Sequence, residues 1–300
     1  MPVYGRLLQV EYSINMGSKF LIFSFLFISL QVMSQEISVL KSNDSTTEKR
    51  IIIFINGNRG PKFNKYTTNN LLSLKDSSGY WYKYDDTIIS RFQPVTPIYF
   101  DGHHPVKSSM HKSNLRFIKA YCLSRFCWLP RKSRWVLNTK YNPEGFEERV
   151  NNGKSAGKNF LIYLNEQNLL GKKVTVDIVS HSMGYAYSLG LIEVIKSEVN
   201  FGKMLAISPE SAGLQGADWC LFQEVWQYGG NENDPICLQD GIACQEPIKG
   251  IEKVPAEKGG RIFIPESWPN RKKGFLKSHH LNWFQWFYVI KSSDRGYFSR

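Results

Sequence analysis

The segment VDIVSHSMGYAYSLGLIEVI, residues 176 to 195, decides how this chain folds. Its first half completes a run at 173 to 180 that contains Val174, Val176, Ile178 and Val179, as is typical of a buried strand. Its second half has Tyr185 and Leu189 at helical spacing, which predicts a helix. Ser182 lies between the two, so the segment predicts a serine on a sharp turn from strand to helix.

Similar apolar runs recur on both sides of this segment. The first is IIIFI at 51 to 55, which ends at the glycine-containing turn NGNRGP. Further strands are predicted at 201–210, 224–230 and 260–267, and further helices at 143–168 and 281–291. Apolar strands that alternate with helices predict an α/β fold with a mostly parallel central sheet flanked by helices. Residues of about 61–140 do not follow this pattern and are expected to form an insertion, in the place of a lid.

Length and composition agree with a folded, exported protein. The chain has 300 residues, of which 42% are hydrophobic and 21% charged, so it can bury a large core and global disorder is excluded. Residues 1–34 read as an N-terminal extension plus a secretion signal, residues 35–50 as a polar linker, and residues 51–300 as the main domain.

The signal begins at Met16, where a short basic start precedes an apolar run over residues 20–33. This run is shorter than the roughly 20 residues that span a bilayer, so cleavage is favoured over a membrane anchor. We therefore expect a protein that is secreted or held in the cell envelope.

The five cysteines fit an oxidising compartment. Cys122 and Cys127, and likewise Cys237 and Cys244, are close enough in sequence for local disulfides, and Cys220 could replace any of them. Spacing does not decide the connectivity. The pattern lacks a zinc-type CxxC pair.

The net charge of +12 is concentrated in part between residues 107 and 140, where aromatic residues stand among the basic ones. A solvated insertion explains this stretch most simply, and an anionic membrane surface or an acidic substrate is the alternative partner. Nucleic-acid binding would rest on charge alone, and it is not expected because no nucleic-acid-binding module is recognisable.

Ser182 has the surroundings of a nucleophile. The carboxyl edge of a parallel sheet is where α/β folds bind their ligands. Ser180 and Gly184, two residues on either side, are small enough to allow a sharp turn. The helix that follows supplies amide donors and a positive dipole end, and both favour an oxyanion beside the serine.

The sequence V-D-I-V-S-H-S-M-G resembles the nucleophile elbow of the α/β-hydrolase family, and in particular its lipase and esterase branch. In that branch His commonly precedes the serine and Met commonly follows it. Ser180 departs from the pattern, which has glycine there. The resemblance implies a catalytic triad in the chain order serine, acid, histidine.

Five carboxylates could supply the acid that this order requires. They are Glu210, Asp218, Glu232, Asp234 and Asp240. Asp234 is favoured because it follows a predicted strand and two glycines, which is similar to the loop that carries the acid in the family. Asp240 is the second choice, and a turn or cap role is the alternative for either residue.

The base is expected at His279 or His280, which follow the last predicted strand and precede the last helix, as the histidine of the family does. His280 would begin an apolar stripe with Phe284 and Phe287, whereas His279 stays on the loop. His279 is therefore preferred, and His280 remains open.

The resemblance also implies an oxyanion hole made of two backbone amides. One amide would be that of Met183, directly after the nucleophile, and the other that of Asn58, in the loop after the strand at 51–55. Gly57 and Gly60 would let the backbone of this loop approach closely. Asn56 stands where the family has histidine and is a second departure from its pattern.

Asp101, His103 and His104, with His111 further along, could offer carboxylate and imidazole ligands to zinc. These residues lack the i, i+4 helical spacing of a zinc motif such as HExxH, so a turn is the better explanation. No metal and no cofactor is expected.

The sequence thus predicts a secreted serine hydrolase that cleaves a carboxylic ester, of a small molecule or a lipid, through an acyl-enzyme. Peptide or thioester cleavage on the same scaffold is a variant of this prediction. The alternative is a protein of another class, a noncatalytic exported binding protein that keeps the hydrolase fold. The departures from the motif at Ser180 and Asn56 support this alternative.

Overall fold

Six parallel strands form the centre of the computed structural model, in the order β2-β1-β3-β4-β5-β8. The structure describes residues 49–57, 71–76, 78–103, 143–229, 235–238, 241–244, 246–263, 281 and 290–300. The strands of the sheet are β1 (Lys49–Ile55), β2 (Thr96–Phe100), β3 (Val174–His181), β4 (Asn200–Ile207), β5 (Phe222–Gly229) and β8 (Gly259–Phe263). Because all the pairings are parallel, the carboxyl ends of the six strands meet at one edge.

Helices and a hairpin connect these strands. The α-helices are α1 (Tyr84–Phe92), α2 (Pro143–Glu166) and α3 (Gly184–Ile195), and short 3₁₀ turns cover Trp219–Leu221 and Ile251–Lys253. Strands β6 (Pro235–Leu238) and β7 (Gly241–Cys244) pair antiparallel as a separate hairpin. Among the described residues, no helix is both long and apolar enough to cross a membrane.

The sheet is buried on both faces, as the apolar strands predicted. In β1 the side chains of Ile51, Ile53 and Ile55 belong to one hydrophobic core, and those of Ile52 and Phe54 belong to another. All five are at most 2% exposed. Side chains alternate along a strand, so a continuous apolar run fills both cores at once. The prediction of an α/β fold with a mostly parallel sheet flanked by helices is confirmed.

Glycines let helix α2 pack with its backbone close to that of α3. A Cβ atom added at Gly153 would lie 1.9 Å from the Tyr187 carbonyl oxygen, and one added at Gly190 would lie 1.8 Å from the Val150 carbonyl oxygen. Only a residue without a side chain fits such a contact. The close packing covers one face of the sheet and supports the helix that follows Ser182.

Residues 84–100 differ from the expectation of an insertion over about 61–140. They form α1 and then β2, which pairs with β1 as an edge strand of the central sheet. The segment TPIYF is short and contains Pro97, which an edge strand accepts because one side of its backbone needs no partner. Of the expected insertion, residues 61–70, 77 and 104–140 lie outside the described residues, as do the signal and most of the linker.

The other elements agree closely with the sequence. The strand expected at 51–55 begins at Lys49, the one expected at 201–210 ends at Ile207, and the helix expected at 143–168 ends at Glu166. Most of the helix expected at 281–291 lies outside the described residues. The hairpin register pairs Cys237 with Ile242 and not with Cys244.

A buried ion pair joins β1 to β3 within the sheet. The Arg50 guanidinium donates from Nε to Asp177 Oδ2 at 2.5 Å and from Nη2 to Asp177 Oδ1 at 2.8 Å. The backbone amide of Lys203, on β4, donates to the same Oδ1 at 2.7 Å. One carboxylate therefore binds groups from two neighbouring strands, in a place where the Asp177 side chain is fully buried.

Candidate functional site

Ser182 occupies the sharp turn that the sequence predicts between β3 and α3. Its φ angle is 57°, in the left-handed region that residues with a side chain rarely adopt. Such a conformation costs of order 1 to 3 kcal/mol and persists only where neighbouring structure holds it. The strained residue is thus Ser182 itself, the residue that the sequence predicts as the nucleophile.

Hydrogen bonds from the next strand hold this turn in place. The Ser182 amide donates to the Ile207 carbonyl at the end of β4, at 3.0 Å. The Ser182 carbonyl accepts from the amides of Tyr185 and Glu210, each at 3.1 Å. The turn is bound on one side by helix α3 and on the other by the loop that follows β4, so its geometry is set before any ligand arrives.

A buried carboxylate lies beside the serine hydroxyl. The Ser182 Oγ donates a long hydrogen bond of 3.5 Å to Glu210 Oε2, and both residues are 3% exposed. Glu210 follows β4, the direct neighbour of β3 in the sheet. Glu210 is one of the five acids that the sequence offers. Asp234 is preferred from the sequence because it follows a predicted strand and two glycines. The order of strands in the sheet, which the sequence does not show, brings Glu210 to the serine.

The remaining predicted site residues divide into two groups. Met183 is described: it is the residue before α3 begins, has helical backbone angles and is buried. The others lie outside the described residues, and their side chains stay predictions: Asn58, Asp234, Asp240, His279 and His280. Still, β5 ends at Gly229 and β8 ends at Phe263, so the segments that carry Asp234 and the two histidines leave the sheet at the same edge as Ser182.

Asn56 ties the ends of β1 and β2 together. Its Nδ2 donates to the Gly57 carbonyl at 2.9 Å and to Asp101 Oδ1 at 2.8 Å. Asp101 Oδ1 also accepts from the His103 amide, at 3.0 Å. An amide side chain can therefore stand where the resembled motif has histidine, because it anchors the loop through hydrogen bonds.

This arrangement also explains the start of the D-G-H-H segment. Asp101 binds the neighbouring loop through Asn56, as expected of a turn. Within the described part of the chain, no group of three or more His, Cys, Asp or Glu residues is arranged to hold a metal ion. His104 and His111 lie outside it.

Ser180, the other departure from the resembled motif, is completely buried in β3. Its hydroxyl makes no hydrogen bond to any described residue. The side chain fits the small space that the motif reserves for glycine, and nothing described here depends on its hydroxyl. The departure therefore leaves the turn at Ser182 intact.

Gly57 lies against the serine from the opposite side. A Cβ atom added at Gly57 would come 2.6 Å from Ser182 Cβ and 2.9 Å from the His181 carbonyl oxygen. A contact below 3.0 Å with backbone cannot be relieved by rotating a side chain. The loop after β1 and the turn after β3 thus touch at a point where only glycine fits.

Gly57→Ala is therefore expected to disturb the site rather than the core. If Ser182 is a nucleophile, we expect kcat to fall by at least about tenfold, since displacements of about 1 Å at a reacting group can cost more than that. Gly171→Ala is the control for a loss of stability away from the site: a Cβ there would meet nothing within 4 Å, and the φ angle of 75° strains the backbone without touching Ser182. Equal activity of the two variants would show that the contact between Gly57 and Ser182 does not constrain the reaction. Steady-state kinetics on folded protein, checked by circular dichroism, makes the comparison.

A tyrosine stands next to the same contact. The Tyr80 hydroxyl lies 2.5 Å from His181 Nδ1, and a Cβ atom added at Gly57 would come 3.0 Å from the Tyr80 oxygen. Burial, reinforced by the nearby carboxylates of Glu210 and Asp101, raises the pKa of the Tyr80 phenol well above its ordinary value. The phenol therefore stays protonated at physiological pH, and it can donate one hydrogen bond while it accepts another.

The described geometry defines an α/β protein with a buried serine on a strained turn at the carboxyl edge of its sheet. Comparison of the sequence with protein-family models found no match, and comparison with curated proteins found none either. The function therefore has to be argued from the site itself.

Proposed function

We propose that this protein is a secreted serine hydrolase of the α/β-hydrolase type that cleaves carboxylic esters through an acyl-enzyme. The observation that carries this proposal is the left-handed turn at Ser182, between the buried strand β3 and helix α3. Strained backbone at the carboxyl edge of a parallel sheet is where such enzymes present their nucleophile. The neighbouring Gly57 loop supports the same interpretation, since an oxyanion hole needs a second backbone segment close to the nucleophile.

The proposed reaction begins with attack of Ser182 Oγ on the acyl carbon. His279 or His280 takes the hydroxyl proton, the new bond between Oγ and carbon forms, and the carbonyl oxygen becomes an oxyanion. The Met183 amide, at the positive end of α3, is one donor to that oxyanion, and Asn58 is the proposed second donor. The same histidine then protonates the leaving alcohol. Water repeats the sequence on the acyl-enzyme and releases the carboxylic acid.

The order of the sheet supports a triad at this edge. Ser182 follows β3, Glu210 follows β4, Asp234 follows β5 and the histidines follow β8, and these four strands are neighbours in that sequence. Strands in a sheet lie about 4.8 Å apart, so a loop of several residues can bring side chains from all four to one place. The chain order of serine, acid and histidine is that of the hydrolase class.

Besides Asp240, the second choice from the sequence, two carboxylates compete for the role of the acid, and paired variants separate these two. If Asp234 orients the histidine, Asp234→Asn should lower kcat by about 10³-fold or more, by analogy with loss of the triad acid elsewhere, and Glu210→Gln should have a smaller effect. The reverse order would assign the acid to Glu210, whose carboxylate is already beside Ser182 Oγ. Asp218→Asn is the control, because the Asp218 carboxylate caps the Cys220 amide in a 3₁₀ turn. Ester hydrolysis by the four proteins gives the ranking.

The proposal is tested with a p-nitrophenyl ester series of increasing acyl length and with a serine-reactive fluorophosphonate. We expect turnover of at least part of the series and one covalent adduct, which peptide mass spectrometry should locate at Ser182. Folded wild-type protein that neither hydrolyses an ester nor forms the adduct would contradict the proposal and favour the noncatalytic binding protein. Amide and thioester substrates in the same assay separate the peptidase and thioesterase variants.

Export and the substrate surface form part of this proposal. The basic start and short apolar run of residues 16–33 support secretion or a place in the cell envelope. The net charge of +12 would favour approach to an anionic membrane if the ester is a lipid. Hydrolysis of a dispersed long-chain ester with and without anionic vesicles distinguishes a lipid substrate from a soluble one.

A further inference from the structure

A single tyrosine connects the two backbone segments that meet at the serine. The Tyr80 hydroxyl lies 2.5 Å from Nδ1 of His181, the last residue of β3, and it also lies beside Gly57, in the loop after β1. A Cβ placed on Gly57 would meet both the Tyr80 oxygen, at 3.0 Å, and Ser182 Cβ, at 2.6 Å. The phenol and the serine therefore flank the same point above the Gly57 backbone.

Tyr80 is itself held rigidly by the segment around it. Its amide donates to Ser78 Oγ at 3.3 Å, and Ser78 Oγ donates to Asp76 Oδ1 at 2.8 Å. The next residue, Trp81, donates its amide to Asp76 Oδ2 at 2.7 Å and is 1% exposed. The indole of Trp81 packs against Phe54 of β1, with ring centroids 5.3 Å apart. The Tyr80 ring is thus packed against Trp81, which in turn belongs to the core of the sheet.

The partner of Tyr80 is equally restrained. His181 is 4% exposed, and its ring packs against that of Tyr80 with centroids 5.8 Å apart. Its backbone belongs to β3 and pairs with Ile207 of β4. Because His181 directly precedes Ser182, a change in its position shifts the turn that carries the nucleophile.

We propose that Tyr80 is a positioning residue of the esterase site, whose hydroxyl holds the Gly57 loop and the Ser182 turn at a set separation. The proposal rests on the proposed hydrolase function. An oxyanion hole with one donor on each of these two segments works only if their separation matches the size of the oxyanion. The phenol oxygen is hydrogen-bonded to His181 Nδ1 and lies beside the Gly57 backbone, so one hydroxyl contacts both segments.

Tyr80→Phe removes the hydroxyl and keeps the ring that packs on Trp81 and His181. We expect kcat for a p-nitrophenyl ester to fall by about tenfold, with KM within about twofold of wild type, because the oxyanion exists in the transition state and not in the bound substrate. Tyr82→Phe is the matched control, since Tyr82 is two residues away and 67% exposed, and both constants should stay within about twofold of wild type. Rates are divided by the concentration of reactive sites, which a fluorophosphonate titration counts.

Variants of His181 test the same hydrogen bond and do not depend on whether Tyr80→Phe folds. His181→Asn places an amide group near the position of Nδ1 and should keep most of kcat, whereas His181→Leu should lower it as much as Tyr80→Phe does. The double variant Tyr80→Phe/His181→Leu should be no slower than either single variant, since both remove the same hydrogen bond.

Each outcome decides between positioning and simple structural support. A role in stability alone would lower the melting temperature of Tyr80→Phe but leave kcat per reactive site unchanged, and this would overturn the proposal. Equal kcat values for His181→Asn and His181→Leu would also overturn it. If the wild type is active and Tyr80→Phe is equally active, the role of Tyr80 alone is refuted. If the wild type shows neither turnover nor a fluorophosphonate adduct, both this inference and the proposed hydrolase function are refuted.

Discussion

Ser182→Ala is expected to lower ester hydrolysis by at least about 10⁴-fold, because the variant loses the only atom that can form the proposed acyl-enzyme. Met183 and the Gly57 loop remain in the variant, so a residual rate above the uncatalysed reaction is also expected from the oxyanion site and substrate binding. The measurement is kcat/KM on the best p-nitrophenyl ester, together with a fluorophosphonate adduct that the variant should fail to form.

Ser180→Ala is the control for this result. Ser180 lies two residues earlier in the same strand, is completely buried, and has a hydroxyl without a hydrogen bond to any described residue. We expect its kcat/KM to stay within about threefold of wild type, since nothing in the proposed reaction uses that hydroxyl. Near-wild-type hydrolysis by Ser182→Ala would show that another residue is the nucleophile, and the proposed role of Ser182 would then be wrong.

The same assay assigns the base. If His279 accepts the serine proton, His279→Ala should be nearly as slow as Ser182→Ala, because residues of a triad act as one unit. His280→Ala should then keep a measurable rate. The opposite result would assign the base to His280 and leave His279 on the loop without a catalytic role.

Asp177→Ala is expected to lower the free energy of unfolding by about 3 to 5 kcal/mol, the usual cost of removing one partner of a buried ion pair. The Arg50 side chain is 6% exposed and would keep its charge without the carboxylate that binds it at two positions. The Lys203 amide would lose its acceptor on the same carboxylate. Urea unfolding, followed by circular dichroism and fluorescence, measures the difference.

An exposed ion pair provides the comparison for this variant. Lys154 Nζ lies 3.1 Å from Glu193 Oε1, with side chains 38% and 50% exposed. Glu193→Ala should therefore change the free energy of unfolding by no more than about 1 kcal/mol. A loss below about 1 kcal/mol for Asp177→Ala as well would mean that water or other groups replace the lost carboxylate, and that the ion pair does not stabilise the sheet.

Much of the fold could be predicted from local patterns. The run IIIFI is apolar at every position and the run KVTVDIVS at half of its positions, and a strand of that kind is stable only when it is covered. Strand β2 was not predicted, because TPIYF is short, contains a proline and lies at the edge of the sheet. Edge strands need less apolar surface than central ones, so their sequences differ less from those of loops.

The site likewise combines features that are local in sequence with contacts between distant residues. The position of Ser182 on a turn follows from the strand and helix patterns that adjoin it, since both are local. The contact between Ser182 and Glu210 is not local: it depends on β4 lying next to β3, and the residues are 28 positions apart. The preference for Asp234 used chain order and loop composition alone, and these could not weigh a carboxylate that only the sheet brings near.

The alternation of buried strands and helices, and with it the serine between β3 and α3, can be predicted from the sequence because hydrophobic periodicity acts over a few residues. The distant groups that surround that serine come together only when the sheet is assembled. Tyr80 meets His181 across 101 positions and Asn56 meets Asp101 across 45, through side chains whose spacing along the chain carries no signal. Strand order and loop packing depend on burial of the whole sheet, and they determine which polar side chains meet at its edge. Local propensity does not distinguish those side chains from ordinary turn residues.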